Sequence, residues 1–379
     1  MSSPKNITLI ATAAFGLEAL LKREIQELGF TKLMVADGKV ELSATLADIP
    51  RLNIHLRIAD RVLLKMAEFP AADFDQLFDK IKTLPWEDWL TKEAKITVVG
   101  RSVKSKLMSV RTCQSMIKKA VVVRFQEKFR LDRLPESGPE FTINFSIFKD
   151  VAQVALDTTG PGLNKRGYRI GVGEAPLREN LAAALVLFSQ WNGRRGLIDP
   201  MCGSGTILIE AAMIARNIAP GIHREFAAQA WPAIDAKLWE AARQQARAAI
   251  LPTGNIHIKG FDKDSRRITD AMTNAKRVGV DKDINFAVAD IKELRLEEEA
   301  GVVITNPPYG MNIGELRELP PLYEALNKTL EKKPGWALYL LTADKSFPRY
   351  FKRARPEKIR KLYNGPIEAN FFSYVASPR

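Results

Sequence analysis

Cysteine is scarce in this chain of 379 residues: Cys113 and Cys202 are the only two, and they lie far apart. Two cysteines are too few for a disulfide framework or a cysteine-rich zinc site. Histidine is also rare, and His55, His223 and His257 lack the spacing of metal ligands, so no metal site is expected. This low cysteine content is typical of the reducing cytoplasm, which is the expected location.

Long apolar runs are missing as well. The longest runs, such as residues 181–188, are much shorter than the roughly 18 residues that span a bilayer. The polar N-terminus lacks an apolar segment followed by a cleavage site, so neither membrane insertion nor export is expected. The composition, 46% hydrophobic and 27% charged, is that of a globular protein, and the length predicts at least two domains.

Acidic residues are outnumbered, with 44 Asp and Glu against 57 Lys and Arg, which leaves a net charge of +13. This excess favours an acidic partner, either nucleic acid or anionic lipid. Residues 95–133 alone contain eleven bases and two acids. Residues 345–361 contain eight bases and one acid, interleaved with aromatic residues that either stack on unpaired bases or belong to the core.

Up to about residue 160 the patterns predict a mixed α+β region. Apolar spacing predicts helices at 17–28, 46–56, 74–82 and 110–129. Strands are predicted at 7–11, 62–67 and 96–99, with hairpins at 32–43, around Asp37-Gly38, and at 141–157.

Gly160-Pro161-Gly162 interrupts the chain, and strands and helices alternate beyond it. The strands are predicted at 196–198, 256–261, 285–289, 302–305, 336–341, 360–362 and 371–375. The helices are predicted at 181–189, 206–216, 235–250, 264–278 and 320–330. Such alternation predicts a doubly wound parallel α/β sheet, with the last two strands antiparallel at its edge. The expected domains are residues 1–60, 61–160 and 161–379.

A glycine-rich turn joins the strand and helix of residues 196–206. Gly203 and Gly205 allow a ligand close to the backbone, and Asp199 supplies a carboxylate at the strand end. Asp262 and Asp290 end the next two predicted strands, so three carboxylates are expected along one sheet edge. The candidate cofactor residues are Asp199, Pro200, Cys202, Gly203, Gly205, Thr206, Asp262 and Asp290. A turn without a ligand is the alternative for the glycines alone.

The fourth predicted strand is followed by Asn306, Pro307, Pro308, Tyr309 and Gly310. The two prolines stiffen the loop and lack N–H groups, so it presents acceptors beside an aromatic ring. Such a loop suits a flat group with an exocyclic amine, and the first four residues are the candidate catalytic residues.

The runs 199–206 and 306–310 resemble class I S-adenosylmethionine-dependent amino-methyltransferases. With residues 11–18, 163–169 and 175–181, the whole chain resembles bacterial THUMP-domain RNA methyltransferases that make N2-methylguanosine in large-subunit ribosomal RNA. The resemblance implies a Rossmann-like seven-stranded class I methyltransferase domain, preceded by an α+β ferredoxin-like and THUMP RNA-binding region.

The resemblance also assigns roles. Asp199, Gly203 and Gly205 would contact the methionine part of the cofactor, Asp262 the ribose hydroxyls and Asp290 the adenine amine. Asn306, Pro307 and Tyr309 would hold the target base. The candidate RNA contacts are Lys104, Arg111, Lys118, Lys119, Lys165, Arg166 and Arg169, and the last three are expected at the domain junction.

The expected partner is large-subunit ribosomal RNA or a ribosomal precursor particle, with no obligate protein partner. A second methyltransferase domain, which relatives can carry downstream, is expected to be absent. Covalent catalysis by Cys202 is not expected, because this cysteine lies in the cofactor loop. Two alternatives remain open: an adenine-N6 methyltransferase acting on DNA, and a non-catalytic RNA-binding or ribosome-assembly protein.

Overall fold

The computed structural model describes residues 6–170, 176–254, 256–308, 313–353 and 355–376, and these form two seven-stranded sheets. The N-terminal region, residues 6–160, contains β1 (Ile7–Thr12), α1 (Glu18–Glu27), β2 (Leu33–Ala36), β3 (Lys39–Ala44), α2 (Asp48–His55), β4 (Arg61–Pro70), α3 (Phe74–Thr83), β5 (Lys95–Val103), α4 (Val110–Phe129), β6 (Glu140–Phe148) and β7 (Val151–Asp157). The C-terminal region, residues 176–376, contains α5 (Glu179–Phe188), β8 (Gly196–Asp199), α6 (Thr206–Ala215), α7 (Ala236–Ala248), β9 (Ile258–Asp262), α8 (Ser265–Arg277), β10 (Ile284–Val288), β11 (Ala300–Thr305), α9 (Ile313–Glu331), β12 (Gly335–Thr342), α10 (Phe347–Tyr350), β13 (Lys358–Asn364) and β14 (Ile367–Tyr374).

The first sheet has the order β2-β3-β1-β4-β7-β6-β5, and its neighbours are antiparallel except for the β5–β6 pair. Gly38 has a φ of +71° in the turn between β2 and β3, which is the conformation expected of the Asp37-Gly38 hairpin. Strand β1 pairs with β4, with Leu9 opposite Leu64. One sheet therefore continues across residue 60, where the sequence predicts a domain boundary.

The second sheet has the order β10-β9-β8-β11-β12-β14-β13. Strands β8 to β12 are parallel, whereas β14 is antiparallel to both β12 and β13. This confirms the doubly wound sheet with an antiparallel hairpin at its edge. The chain moves outward from β8 to β10 on one side and from β11 to β12 on the other. Doubly wound sheets bind ligands at such a switch point, outside the carboxyl ends of the strands.

Helix α9 differs from its predicted span, because it begins at Ile313 and contains Pro320 and Pro321 in its interior. The prediction began this helix at residue 320, a proline, and proline is typical of the first helical turn rather than the interior. Leu319, Tyr323, Leu326 and Leu330 are buried in the second apolar core at helical spacing. Their packing outweighs the local effect of the prolines. Within the described ranges, no helix is long and apolar enough to cross a membrane.

The two regions meet in a packed interface. One cluster of buried apolar side chains extends from the first region into the second. Gly16 has a φ of +92°, and a Cβ atom there would lie 3.1 Å from the carbonyl oxygen of Lys361 in β13. Buried Arg166 lies 3.3 Å from Glu210 Oε1 of α6 and donates a 2.6 Å hydrogen bond to the carbonyl of Arg57. The interface therefore combines apolar packing with a buried arginine, which pairs with Glu210 on one side and bonds the Arg57 carbonyl on the other.

Candidate active site and nucleic-acid interface

A cavity of about 990 Å³ opens at the carboxyl ends of the parallel strands. Asp290, Asp262, Asp199 and Asn306 all line it, and they lie at or just after the ends of the neighbouring strands β10, β9, β8 and β11 in that order. The four polar side chains predicted at successive strand ends are thus brought together. Pro200, Cys202, Gly203, Thr206, Pro307 and Pro308 also line the cavity.

The loop from β8 to α6 is held close to β9. Cys202 N donates to the carbonyl of Phe261 at 2.8 Å, and Gly203 N donates to Asp262 Oδ2 at 3.0 Å. Gly205 has a φ of +80°, and a Cβ atom there would lie only 3.0 Å from the Ala271 side chain. A side chain at position 205 would therefore strain the backbone and push the loop away from α8.

Asp199 is the most deeply buried carboxylate of the cavity, with 2% of its surface exposed. Its Oδ1 accepts hydrogen bonds from Thr305 Oγ1 at 2.7 Å and from Met201 N at 3.1 Å. Burial, with a smaller contribution from the nearby Asp262 carboxylate, raises its pKa to about 7 in spite of these bonds. A buried acid of this kind is suited to a cationic ligand group, which would favour its ionised form.

Asp262 and Asp290 are half-buried acceptors whose positions are fixed by nearby backbone amides. Asp262 Oδ1 accepts from Asp264 N at 2.9 Å, while its Oδ2 holds the glycine loop. Asp290 Oδ1 accepts from Lys292 N, also at 2.9 Å. Each carboxylate retains lone pairs for hydroxyl or amine donors of a ligand.

Asn306 provides an acceptor of a different kind. Its amide oxygen is buried and has no hydrogen-bond partner among the described residues. A buried acceptor without a partner costs free energy, which a donor from a ligand would recover. Pro307 is buried and Pro308 is exposed, and neither has an N–H to offer. Tyr309, the fourth predicted catalytic residue, lies outside the described residues.

Cys202 lines the cavity as a neutral thiol. Burial raises its thiol pKa well above the usual range, and the carboxylates of Asp199 and Asp262 raise it further. Because the thiolate is the nucleophile, this environment disfavours covalent catalysis by Cys202. In the described part of the chain, no three His, Cys, Asp or Glu side chains form a group that could hold a metal ion.

Two residues that support the glycine loop were not identified in these roles from the sequence. Asn274 in α8 is fully buried; its Nδ2 donates to Ser204 O at 3.1 Å and its Oδ1 accepts from Ile170 N at 2.9 Å. Arg169 donates to Thr206 Oγ1 at 3.1 Å and lies 3.2 Å from Glu179. An asparagine among the apolar positions of an amphipathic helix was the available signal for Asn274.

The predicted RNA contacts fall into two groups. Lys104, Arg111, Lys119 and Lys165 are exposed, whereas Lys118 is half-buried and its Nζ lies 2.6 Å from Glu136 Oε1. Arg166 and Arg169 do lie at the junction between the regions, but their guanidinium groups are occupied by protein partners. A direct RNA contact of Arg166, which is 4% exposed, is therefore wrong, and Arg169 instead holds Thr206 at the start of α6.

The second basic segment, residues 345–361, does not fit the interpretation that its aromatic side chains stack on RNA bases. Phe347 and Phe351 are completely or almost completely buried and stack on each other with ring centroids 5.5 Å apart. Arg353 donates to the carbonyl of Trp336 at 2.8 Å. These aromatic residues belong to the core, as the other interpretation of this segment proposed.

Known families match almost the whole chain. Residues 166–371 match the family described as “RMKL-like, methyltransferase domain”, residues 8–63 the “RlmL ferredoxin-like domain”, and residues 71–157 the THUMP domain. The chain is 39% identical over 377 residues to the Bacillus subtilis “Putative RNA methyltransferase YpsC”, covering 99% of this chain and 97% of that protein. It is 36% identical to the “Ribosomal RNA large subunit methyltransferase K/L” of Syntrophotalea carbinolica, covering 97% of this chain and 53% of that protein. This chain thus spans about half the length of that relative.

Two solved structures are similar over nearly their entire length. SMU.472, described as “a putative methyltransferase complexed with SAH”, is 38% identical, with a TM-score of 0.92 and coverage of 100% of both chains. A Listeria monocytogenes protein described as “a predicted N6-adenine-specific DNA methylase” is 41% identical, with a TM-score of 0.93 and coverage of 98% of this chain and 97% of that one. Fold, site and relatives agree: the chain belongs to the RlmK/L-like family of S-adenosylmethionine-dependent RNA methyltransferases, with ferredoxin-like and THUMP domains before the methyltransferase domain.

Proposed function

We propose that this protein methylates the exocyclic N2 of a guanosine in RNA, and that its substrate is large-subunit ribosomal RNA. The observation that carries the proposal is the buried Asn306 amide oxygen, which has no partner among the described residues and lies beside a row of three carboxylates. The name of the K/L relative supports ribosomal RNA as the substrate.

The cavity residues fit the cofactor of the family. The raised pKa of Asp199 suits the ammonium group of the methionine part, and Gly203, which lines the cavity and has nothing within 4 Å of its Cβ position, leaves room for a ligand against the backbone. Asp262 would hold the ribose hydroxyls and Asp290 the adenine amine, with Pro200, Cys202, Gly203 and Thr206 around them. S-adenosylmethionine supplies an electrophilic methyl group when it is bound.

The residues after β11 would position the nucleophile. Asn306 Oδ1 and the Pro307 carbonyl would each accept a hydrogen from the guanine amine, which orients the nitrogen lone pair towards the cavity. No strong base is required, because an amine that has gained a methyl group is cationic and loses its proton readily. The guanosine would reach this position flipped out of its stack.

The principal alternative is adenine-N6 methylation of DNA, because the same acceptors serve an adenine amine. The name of the Listeria relative favours this alternative. The THUMP match and the exposed bases of the N-terminal region favour RNA. A non-catalytic RNA-binding protein would have no need for an unpartnered Asn306 acceptor.

Methyl transfer from radiolabelled S-adenosylmethionine tests the proposal directly. Unmodified large-subunit RNA, ribosomal precursor particles and duplex DNA would be supplied in parallel, and the labelled nucleosides separated after digestion. N2-methylguanosine from either RNA substrate is the expected product. N6-methyladenosine, or label in DNA alone, would overturn the substrate assignment. Cofactor binding by calorimetry without transfer to any substrate would favour the non-catalytic alternative.

A further inference from the structure

The outer face of the first sheet is open to solvent where β5, β6 and β7 come together. Val103 of β5 lies opposite Phe148 of β6, which in turn lies opposite Val151 of β7. Paired residues on neighbouring strands point to the same face, so the three side chains form a row. They are 45%, 50% and 39% exposed, and nearby Met108 is 81% exposed. Val103, Lys104, Lys106, Met108, Phe148, Lys149 and Val151 are here called the lysine corner.

The backbone of the lysine corner is strained. Lys149 and Asp150 form the two-residue turn between β6 and β7 with φ angles of +50° and +62°. Such turns usually contain asparagine and glycine, because left-handed φ angles cost other residues on the order of 1–2 kcal/mol each. Lys104, next to Val103, has a φ of +52°. Strained residues persist only where the surroundings hold them, and they cluster at functional sites.

Asp150 holds the corner together. Its Oδ1 accepts from Ser105 Oγ at 2.8 Å and from Lys106 N at 2.7 Å, and its carbonyl accepts from Ala71 N at 2.7 Å. These bonds to Ser105 and Lys106 lower the pKa of the Asp150 carboxyl, so it remains ionised. The segment after β5 is thereby joined to the β6–β7 turn, and the aromatic ring and the lysines are presented together.

Positive charge surrounds the exposed apolar row. Lys104, Lys106 and Lys149 are joined by Arg101, which lies on the same face of β5 as Val103, and by exposed Arg111. None of these five bases forms an ion pair within the described ranges. Lys149 Nζ lies 5.3 Å from the centroid of the Phe148 ring. The acid beside the corner, Asp150, accepts both of its side-chain hydrogen bonds at Oδ1.

An exposed ring within a group of unpaired lysines matches the chemistry of an unpaired nucleotide, which offers a flat base for stacking and phosphates for ion pairing. We propose that the lysine corner docks a single-stranded segment of the substrate RNA, with one base stacked on Phe148 and the backbone phosphates on the lysines. This inference rests on the proposed function, because it requires that the substrate is RNA.

The test uses the full chain and a fluorescent oligoribonucleotide, offered both single-stranded and as a duplex. We expect the wild-type protein to prefer the single strand. Phe148→Ala should weaken single-strand binding about 5- to 160-fold, the range for loss of one stacked base, and change duplex binding little. Phe148→Trp should restore binding, and its fluorescence should be quenched by the single strand. Leu251→Ala, which alters another exposed apolar side chain on the C-terminal region, is the matched control.

Equal single-strand affinity of Phe148→Ala and the wild type, or an absence of quenching in Phe148→Trp, would overturn the docking proposal. A preference for the duplex would also overturn it. Methyl transfer by the wild-type protein is measured in the same preparations. Transfer to RNA together with an unchanged Phe148→Ala affinity refutes only the docking site. Phe148-dependent binding without transfer to any RNA refutes only the proposed function.

Discussion

Asn306 holds an acceptor that the described protein leaves without a partner, and this makes it the most informative single residue of the cavity. Removing the amide oxygen should abolish amine positioning without disturbing Asp199, Asp262 and Asp290, which lie on other strands. Asn306→Ala should therefore lower the methyl transfer rate at least about 100-fold, the effect of losing one aligned polar group in a transition state. Cofactor affinity, measured by calorimetry, should change less than about threefold, and near-normal turnover would refute the role of Asn306.

Asp199 should make cofactor binding depend on pH. Its pKa of about 7 exceeds the usual aspartate value because the side chain is buried, so the free protein carries a protonated Asp199 below pH 7. A cationic ligand group binds the ionised form, and protonation then competes with binding. Affinity should fall about tenfold between pH 8 and pH 6, with proton uptake and release detectable by calorimetry in buffers of different ionisation enthalpy.

The raised pKa of Asp199 affects the stability of the free protein in the opposite direction: low pH weakens cofactor binding but favours the folded state. The folded state keeps a proton on Asp199 that the unfolded chain releases near pH 4, so the Asp199 contribution to stability is fully present at low pH. It is lost as the pH rises from about 4 to about 7. Asp199→Asn is the control for both effects, since it cannot titrate. A binding curve that keeps its pH dependence in this variant would assign the dependence to another group.

At the scale of elements, the loop between β8 and α6 depends on a backbone that comes unusually close to its neighbours. Gly205→Ala would combine a φ of +80° with contacts of 3.0 Å to Ala271 and 3.1 Å to Phe286. We expect the loop to shift and cofactor affinity to fall at least about tenfold, or about 1.4 kcal/mol. Gly29→Ala is the matched control, because Gly29 has a φ of +91° but nothing within 4 Å of its Cβ position. Equal effects of both variants on cofactor binding would mean that strain alone, and not the close approach, matters.

The spacing of apolar residues predicted the helices and strands well wherever local preference and tertiary packing favour the same structure. Asp199, Asp262 and Asn306 could be placed in one row because each lies at or just after the end of a strand of a parallel sheet, and such strands end at the same edge. The start of α9 could not be placed, because packing of its apolar face overrides the preference of Pro320 for a first turn. The predicted RNA contact of Arg166 was wrong because a sequence gives the charge of a side chain but not its partner, which here is Glu210.

At the scale of the whole molecule, buried Arg166 connects the two regions through its ion pair with Glu210 of α6 and its hydrogen bond to Arg57 of the N-terminal region. Both side chains of the ion pair are at most 1% exposed, and Arg166 also bonds the carbonyl of Leu163. Glu210→Ala would leave the guanidinium buried without its counterion, which typically costs about 3–5 kcal/mol. Chemical denaturation should show this loss of stability. Glu297→Ala, which removes the exposed partner of Lys259, should change the stability far less, because solvent screens that pair.

The packed interface also determines how unfolding should appear. A core that is continuous across both regions predicts one cooperative transition in the wild-type protein. Glu210→Ala should shift this transition to lower denaturant concentration. Two separate transitions in the wild type, followed by circular dichroism and by tryptophan fluorescence, would show that the regions are energetically independent.

The packed interface between the two regions would also affect the choice of target nucleotide. Because one apolar core joins the two regions, the lysine corner and Asn306 would keep a constant separation. An RNA bound at Phe148 could then place a guanosine at Asn306 only if its distance from the anchored base equals the distance between these two sites. The protein would act as a ruler, selecting its target by distance from an anchor. Inserting nucleotides between anchor and target would move the methylation to a different guanosine or prevent it.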